Sequence, residues 1–299
     1  MNILTVDVED YYQTNGLNIP QAQWRNYPGR VERNTGRLLE CFERHKAKAT
    51  FFIVGEVAKR YPALVRDIVQ AGHEIGSHTL THRMLSTLTR ESFRADVRAS
   101  KAVLEDIAGV AVKQFRAPSW SLNAKIYDWL CVLEEEGYSI DSSLQPFYTP
   151  LGGSNRAPLA PFRPIIRERQ LQLVEFPASV YKWGIARIPF SGGFYLRALP
   201  LTLIHLLLKK TRRLRPFMLY IHPWEIDPEQ PRLPASLPVQ IMQYYGLAKT
   251  AAKLEWLLGH YSFAPLGKTV ELLLEGGNIP DLAMPVPKGG KEGGPDGFT

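Results

Sequence analysis

The 299 residues carry 45% hydrophobic, 22% charged and 11% aromatic side chains, the balance of a packed globular chain, which excludes a disordered, collagen-like or coiled-coil polymer. Lys plus Arg at 36 against Asp plus Glu at 29 gives a formal charge of +7, too dilute over this length to point to nucleic acid, though it leaves an acidic partner open. The two cysteines, Cys41 and Cys131, lie in no CxxC or Cys-rich spacing, which excludes a disulfide framework and fits reduced thiols in the cytosol.

Met1 to Val6 has no basic leader and runs at once into Asp7, Glu9 and Asp10, so no secretory signal is expected and the protein is expected in the cytoplasm. Strand-like runs follow at Asn2 to Val8, Ala49 to Val54, His73 to Ser77, Val112 to Phe115, Tyr138 to Ile140, Leu171 to Phe176 and Phe217 to Ile221. Stretches of helical periodicity lie between them, so the pattern is α/β. An amphipathic stretch surrounds Leu38, Leu39 and Phe42, and Pro62 opens a helix that Gly72 closes. Thr89 caps a helix ending at Gly109, and Asn123 caps another that Gly137 stops. Gln145 to Pro164, rich in Pro and Gly, reads as a long surface loop. Leu199 to Leu208, the longest apolar run, is about half of the ~20 residues that cross a bilayer. With the basic residues up to Arg215 it reads either as an amphipathic helix with a solvated basic end or as a peripheral contact for an anionic membrane at the inner face. A helical segment follows Pro238, and Gly276 to Thr299, with seven Gly and four Pro, reads as a disordered tail.

Groups suited to catalysis follow the C-terminal ends of these strands: Asp7, Glu9 and Asp10 the first, His78 and His82 the third, Arg116 the fourth, Asp141 the fifth and His222 the last. In a barrel of parallel strands they would converge on one mouth. His78 and His82 have i, i+4 spacing, which places two imidazoles on one face of a helical turn, and one carboxylate would complete a metal set with open positions. Asp7, Glu9 and Asp10 offer three candidates, and such crowded carboxylates repel one another unless a cation or base is near. His222 alone would read as a core side chain, Arg116 as a surface arginine or a bidentate partner of a carboxylate, and Asp141 as a turn starter or the acceptor that orients a histidine.

Together these residues resemble a polysaccharide deacetylase of the NodB-homology type, carbohydrate esterase family four. Thr5-Val6-Asp7 corresponds to its Thr-Phe-Asp-Asp motif, His78 to His82 to its HxxxH, Arg116 to Pro118 to its Arg-x-Pro, Asp141 to its fourth motif, and Leu219 to His222 to its Leu-x-x-His. Asp7-Val8-Glu9-Asp10-Tyr11-Tyr12, Asp141-Ser142-Ser143, Ser191 to Arg197 and His222-Pro223-Trp224-Glu225 resemble the branch found with exosortase and exopolysaccharide gene clusters. The resemblance covers roughly residues 1 to 270. One departure is that Val8 follows Asp7 where the family has a second Asp, leaving the carboxylate ligand open between Glu9 and Asp10.

The resemblance implies a distorted (β/α)7-type barrel over residues 1–225, with a C-terminal helical appendage over 226–275 packed on it. It implies a metal-dependent hydrolase, with Zn²⁺ the expected ion, removing N-acetyl groups from amino sugars of an exopolysaccharide or its lipid-linked glycan precursor. Asp7 would be the base, Arg116 would hold Asp7, and His222, oriented by Asp141, would protonate the amine. His78, His82 and Glu9 or Asp10 would bind the metal, with a backbone N–H near Trp120 at the oxyanion. Tyr11, Tyr12, Trp120, Phe147 and Trp224 would offer sugar-stacking surfaces, each with core packing as its alternative. An amidase acting on a small non-sugar amide and an inactive carbohydrate-binding relative are the competing readings.

Overall fold

The structure, a computed structural model, describes residues 2–285. In chain order its elements are β1 (Asn2–Val8), α1 (Val31–Arg44), β2 (Thr50–Ile53), α2 (Gly55–Arg60), α3 (Pro62–Gln70), β3 (Glu74–Ser77), α4 (Arg90–Ala108), β4 (Gln114–Phe115), α5 (Leu130–Glu135), β5 (Ile140–Asp141), β6 (Arg163–Ile166), β7 (Arg169–Gln170) and β8 (Val174–Glu175). There follow β9 (Val180–Trp183), β10 (Ala186–Pro189), α6 (Gly193–Ala198), α7 (Leu201–Thr211), β11 (Phe217–Ile221), α8 (Leu237–Tyr244), α9 (Leu247–His260), α10 (Leu266–Glu275) and β12 (Asp281–Ala283).

Seven strands, each overlapping a run expected from the sequence, form one parallel sheet in the order β11-β1-β2-β3-β4-β5-β8. Arg116, just after β4, reaches Thr5 of β1 and Met218 of β11, strands three and four places away, so the sheet is curled as a half-barrel of the (β/α)7 type. Both faces of these strands are buried, as parallel sheets require. Leu4, Val6 and Val8 of β1 and Phe217, Leu219 and Ile221 of β11 pack under the helices. The alternate residues Ile3 and Met218 belong to a second, inner cluster. This period of two puts Thr5, Asp7, Tyr220 and His222 in the inward phase.

α4 starts at Thr89, whose hydroxyl caps Ser92 N–H, and stops at Gly109 in the left-handed conformation. α10 closes the end of the barrel opposite the strands' C-termini: Leu266, Val270 and Leu273 join Ile3 and Met218, and Glu74 accepts from the N–H groups of Gly267 and Lys268. Gly192 lies against β11 so closely that a Cβ there would run into the Tyr220 carbonyl, which accounts for glycine at that position.

Several expectations need correction. Asn123 does not cap a long helix: its side chain accepts from Lys125 N–H in a turn, and α5 begins only at Leu130. The 145–164 stretch is not wholly a surface loop, because Gln145, Phe147, Ala157 and Phe162 are buried. The helical segment after Pro238 breaks at Gly246, which has positive φ, into α8 and α9. The expected disordered tail contains β12, paired in parallel with β6 through Asp281 and Arg163; residues 286–299 lie outside the described residues. Among the described residues no helix is long and apolar enough to cross a membrane.

Candidate active site

The first strand ends in a tight turn, with Glu9 N–H donating to Asp7 O at 3.1 Å. The Asp7 and Glu9 carboxylates thereby face the same neighbour, His222 Nε2, at 3.8 and 3.7 Å. Asp10 turns away. Its oxygens accept from the backbone N–H groups of Tyr11, Arg30 and Val31, so it caps the first turn of α1, where a carboxylate meets the helix's positive end. Burial raises its pKa to about 6 despite those bonds. Of the two carboxylates left open by the sequence, Glu9 therefore lies with the histidines and Asp10 does not.

His78 and His82 do not sit on a helical turn, contrary to the i, i+4 expectation. They lie in an irregular segment where Thr79 and His82 have positive φ, and the loop brings the two rings to a centroid separation of 4.9 Å. His78 Nδ1 is 2.8 Å from Arg116 O, and His82 Nδ1 is 2.9 Å from Gln13 O. Carbonyls only accept, so each Nδ1 carries a proton, which leaves Nε2 as the atom of each ring that can serve a ligand role. Burial, then the neighbouring His82, holds the His78 pKa well below its ordinary value, in the neutral ligand form.

His82 Nε2 lies 2.7 Å from Glu9 Oε2, a buried oxygen with no hydrogen-bond partner. That separation is the length of a charge-assisted hydrogen bond from Nε2–H, and a divalent cation held by the two atoms would take that proton's place. Donor atoms of Glu9, His78 and His82 all lie within 4.8 Å of one another, and all three residues are buried. Two imidazole nitrogens and one carboxylate suit Zn²⁺ or a similar ion. Burial would raise Glu9, but the imidazoles of His82, His222 and His78 outweigh it and bring its pKa to about 2.

Arg116 is fully buried inside the barrel. Its Nη1 donates to Asp7 Oδ1 at 2.5 Å and to Thr5 Oγ1 at 3.0 Å, and its Nη2 donates to Ser142 Oγ at 3.1 Å. The Phe52 ring lies 4.1 Å from the guanidinium. Asp7 is thus pinned through one oxygen, and the other faces His222.

Asp141 does not orient His222. His222 Nδ1 is 2.8 Å from Glu225 Oε2, which also accepts His222 N–H at 3.0 Å. Glu225 is fixed in turn by Arg197 Nε at 2.7 Å. Burial opposes charge on His222, but Glu225 first, then Glu9 and Asp7, raise its pKa to about 9. Neither Glu225 nor Arg197 received a role from the sequence. The available signal was Pro223 followed by Glu225, the pattern of a short helical turn with an acidic residue three after its cap.

Asp141 instead accepts from Ser143 Oγ at 2.5 Å and faces Glu175, its register partner on β8. Asp141 Oδ2 and Glu175 Oε2 are buried with no hydrogen-bond partner, a need that one proton shared between the two carboxyls would meet. Burial raises both, and Glu175 is driven well above the carboxylate range by burial and then by Asp141. A raised folded-state pKa gives stability that is full below the unfolded value and is lost as pH rises through the folded one. Stability of the wild type should therefore fall by up to about 1.4 kcal/mol per pH unit above the ordinary carboxylate range. Glu175→Gln should flatten that slope in urea melts taken at several pH values; an unchanged slope would mean that no proton is shared.

The aromatic expectations also change. Tyr11 is completely buried in a cluster with Tyr12, Trp224 and Tyr244, so it presents no sugar platform. Trp224 is in the site but stacks on His222, with centroids 5.2 Å apart, and its Nε1 donates to Glu9 at 3.1 Å. Trp120 packs edge-on against Tyr220 at 4.4 Å. Its own backbone N–H is taken by Ala117 O at 3.1 Å, so that donor is not free for an oxyanion.

The family model described as "Polysaccharide deacetylase" matches residues 25–138, and the one described as "Domain of unknown function (DUF3473)" matches 142–271. A Helicobacter pylori protein named peptidoglycan deacetylase is 28% identical over 175 residues, covering 53% of this chain and 59% of its own. A Sinorhizobium fredii chitooligosaccharide deacetylase is 36% identical over 85 residues, covering 28% of this chain and 40% of its own. The chain thus spans about half the length of these two relatives. The crystal structure of a Mycobacterium smegmatis protein assigned as a polysaccharide deacetylase superposes with a TM-score of 0.63 at 21% identity, covering 93% of this chain and 91% of that one, a likeness of fold. The second matched region supplies β8, β11 and His222 to the same sheet whose middle strands lie in the first. Shared fold and matched region together make residues 25–138 a polysaccharide deacetylase region of the NodB-homology type, carbohydrate esterase family four.

Proposed function

We propose that the protein hydrolyses the N-acetyl amide of amino sugars in a glycan. The observation that carries this reading is the meeting of Asp7, His222 and the Glu9–His78–His82 set in one hollow at the strand ends. The names of the relatives support a polymer of the peptidoglycan or chitooligosaccharide kind. An exopolysaccharide or its lipid-linked precursor is the finer reading, and it rests on the resemblance of the Asp7–Tyr12, Ser191–Arg197 and His222–Glu225 stretches.

Glu9, His78 and His82 would hold the divalent ion, for which Zn²⁺ is proposed. Such an ion polarises an amide carbonyl and lowers the pKa of water from 15.7 towards about 7. Asp7, fixed by Arg116, takes a proton from the attacking water as the water oxygen bonds to the carbonyl carbon. His222, its Nδ1–H held by Glu225, gives the Nε2 proton to the amide nitrogen as the carbon–nitrogen bond breaks. Acetic acid and the free amine leave, and the acid's proton passes to the amine or to solvent. The proton on Asp7 then returns to His222 across the 3.8 Å gap between them, which restores both groups.

Acetate release from N-acetylglucosamine oligomers, assayed beside small formamides and ureides, tests the reading. Activity on the oligomers should vanish after dialysis against a chelator and return with Zn²⁺. Hydrolysis of the small amides alone would favour the amidase reading, and metal-loaded protein inert on both would favour a binding protein.

A further inference from the structure

From Phe176 to Trp224 the chain has no Asp or Glu but eight Lys or Arg. Three of these serve the fold. Arg197 is buried against Glu225, Arg187 donates to the carbonyls of Pro146 and Ala157, and Arg215 donates to Val180 O. The other five, Lys182, Lys209, Lys210, Arg212 and Arg213, are exposed. They surround large apolar side chains that the fold leaves in water: Trp183 is 72% exposed, Leu214 74%, and Ile185 fully exposed.

All of these but Lys182, which points to the opposite face of β9 from Tyr181 and Trp183, belong to one surface. β9 and β10 pair with Trp183 opposite Ala186, so Gly184 and Ile185 form the hairpin tip, with Gly184 at φ +58°. Tyr181 and Trp183 share a face of β9, and the Lys210 ammonium lies 5.7 Å from the Tyr181 ring. α7 buries Ile204, Leu207, Leu208 and Thr211 and turns Leu203 and Leu206 outward. That outward stripe becomes basic at its C-terminal end.

We propose that the tip of hairpin β9–β10, with the outer face and basic end of α7, is a docking surface for an anionic lipid bilayer. Trp183 and Ile185 would enter the interfacial region, and Lys209, Lys210, Arg212 and Arg213 would meet lipid headgroups. Charge decides against a second copy as the occupant, since a two-fold contact would bring the same four cations face to face. The patch shares no residue with the hollow at the strand ends, so the inference does not depend on the hydrolytic reading.

The test is co-sedimentation of the full chain with vesicles of phosphatidylcholine alone or mixed with phosphatidylglycerol. Binding is expected only to the mixed vesicles and should weaken with salt. Neutralising Lys209, Lys210, Arg212 and Arg213 to Gln should lower affinity by about 10²- to 10³-fold, since each basic residue near such a surface contributes about fivefold. The pair Trp183→Ser with Ile185→Ser should weaken binding further while leaving the melting temperature and hydrolysis of a soluble substrate unchanged. Equal binding to both vesicles, no binding, or a dimer that the Ser pair converts to monomer would each overturn the proposal.

Discussion

Asp7→Asn should lower kcat for acetate release by about 10²- to 10⁴-fold, the span that a positioned proton acceptor contributes. Asparagine keeps the carbonyl oxygen that Arg116 grips but cannot take a proton, and the Glu9–His78–His82 donors are untouched. KM and bound metal, measured by mass spectrometry, should therefore change little. His222→Ala should cause a similar loss on amides and a much smaller one on aryl acetate esters, whose leaving group departs without protonation. Asp7→Asn should fail on both. Equal losses of His222→Ala on ester and amide would remove the acid role, and an Asp7→Asn variant near wild-type rate would remove the base.

Arg197→Met should destabilise the protein by about 3–5 kcal/mol, because it leaves one half of a buried ion pair without its partner. Arg197 and Glu225 are both almost wholly buried. The same guanidinium donates to the carbonyls of Met242 at 2.6 Å, Tyr245 at 2.8 Å and Gln243 at 3.0 Å, which fastens the end of α8 to the barrel. Urea midpoints give the stability loss. Kinetics on the fraction still folded give the second effect, a lower kcat at unchanged KM, since Glu225 then holds His222 less firmly. An Arg197→Met protein with wild-type midpoint would show that the pair adds no net stability, and unchanged kcat would detach Arg197 from the site.

The parallel strands were legible because each is an apolar run closed by a polar or turn residue, and in such a barrel chemistry gathers where those runs end. Partner choice was not legible. Asp141 is a strand-end carboxylate like Asp7, and nothing in one dimension says that Glu175 lies beside it while Glu225, three residues from His222, takes the imidazole. Asp10 and Glu9 differ by one position, and only the turn after Val8 sends one towards α1 and the other towards the histidines. The two-residue strands and the β9–β10 hairpin carry too little periodicity to separate from loop, and β12 hides in a Gly- and Pro-rich composition whose strand needs β6 to form.

The sheet's register also has a consequence for biosynthesis. β1 lies between β2 and β11, and Asn2 pairs with Phe217, so the ribosome makes one side of this ladder 215 residues before the other. At 5–20 residues per second the nascent chain holds an unmated strand flank for on the order of ten to forty seconds. Closure of this side of the sheet is thus postponed until β11 has emerged, and until then the open edge of β1 can pair with any other free strand.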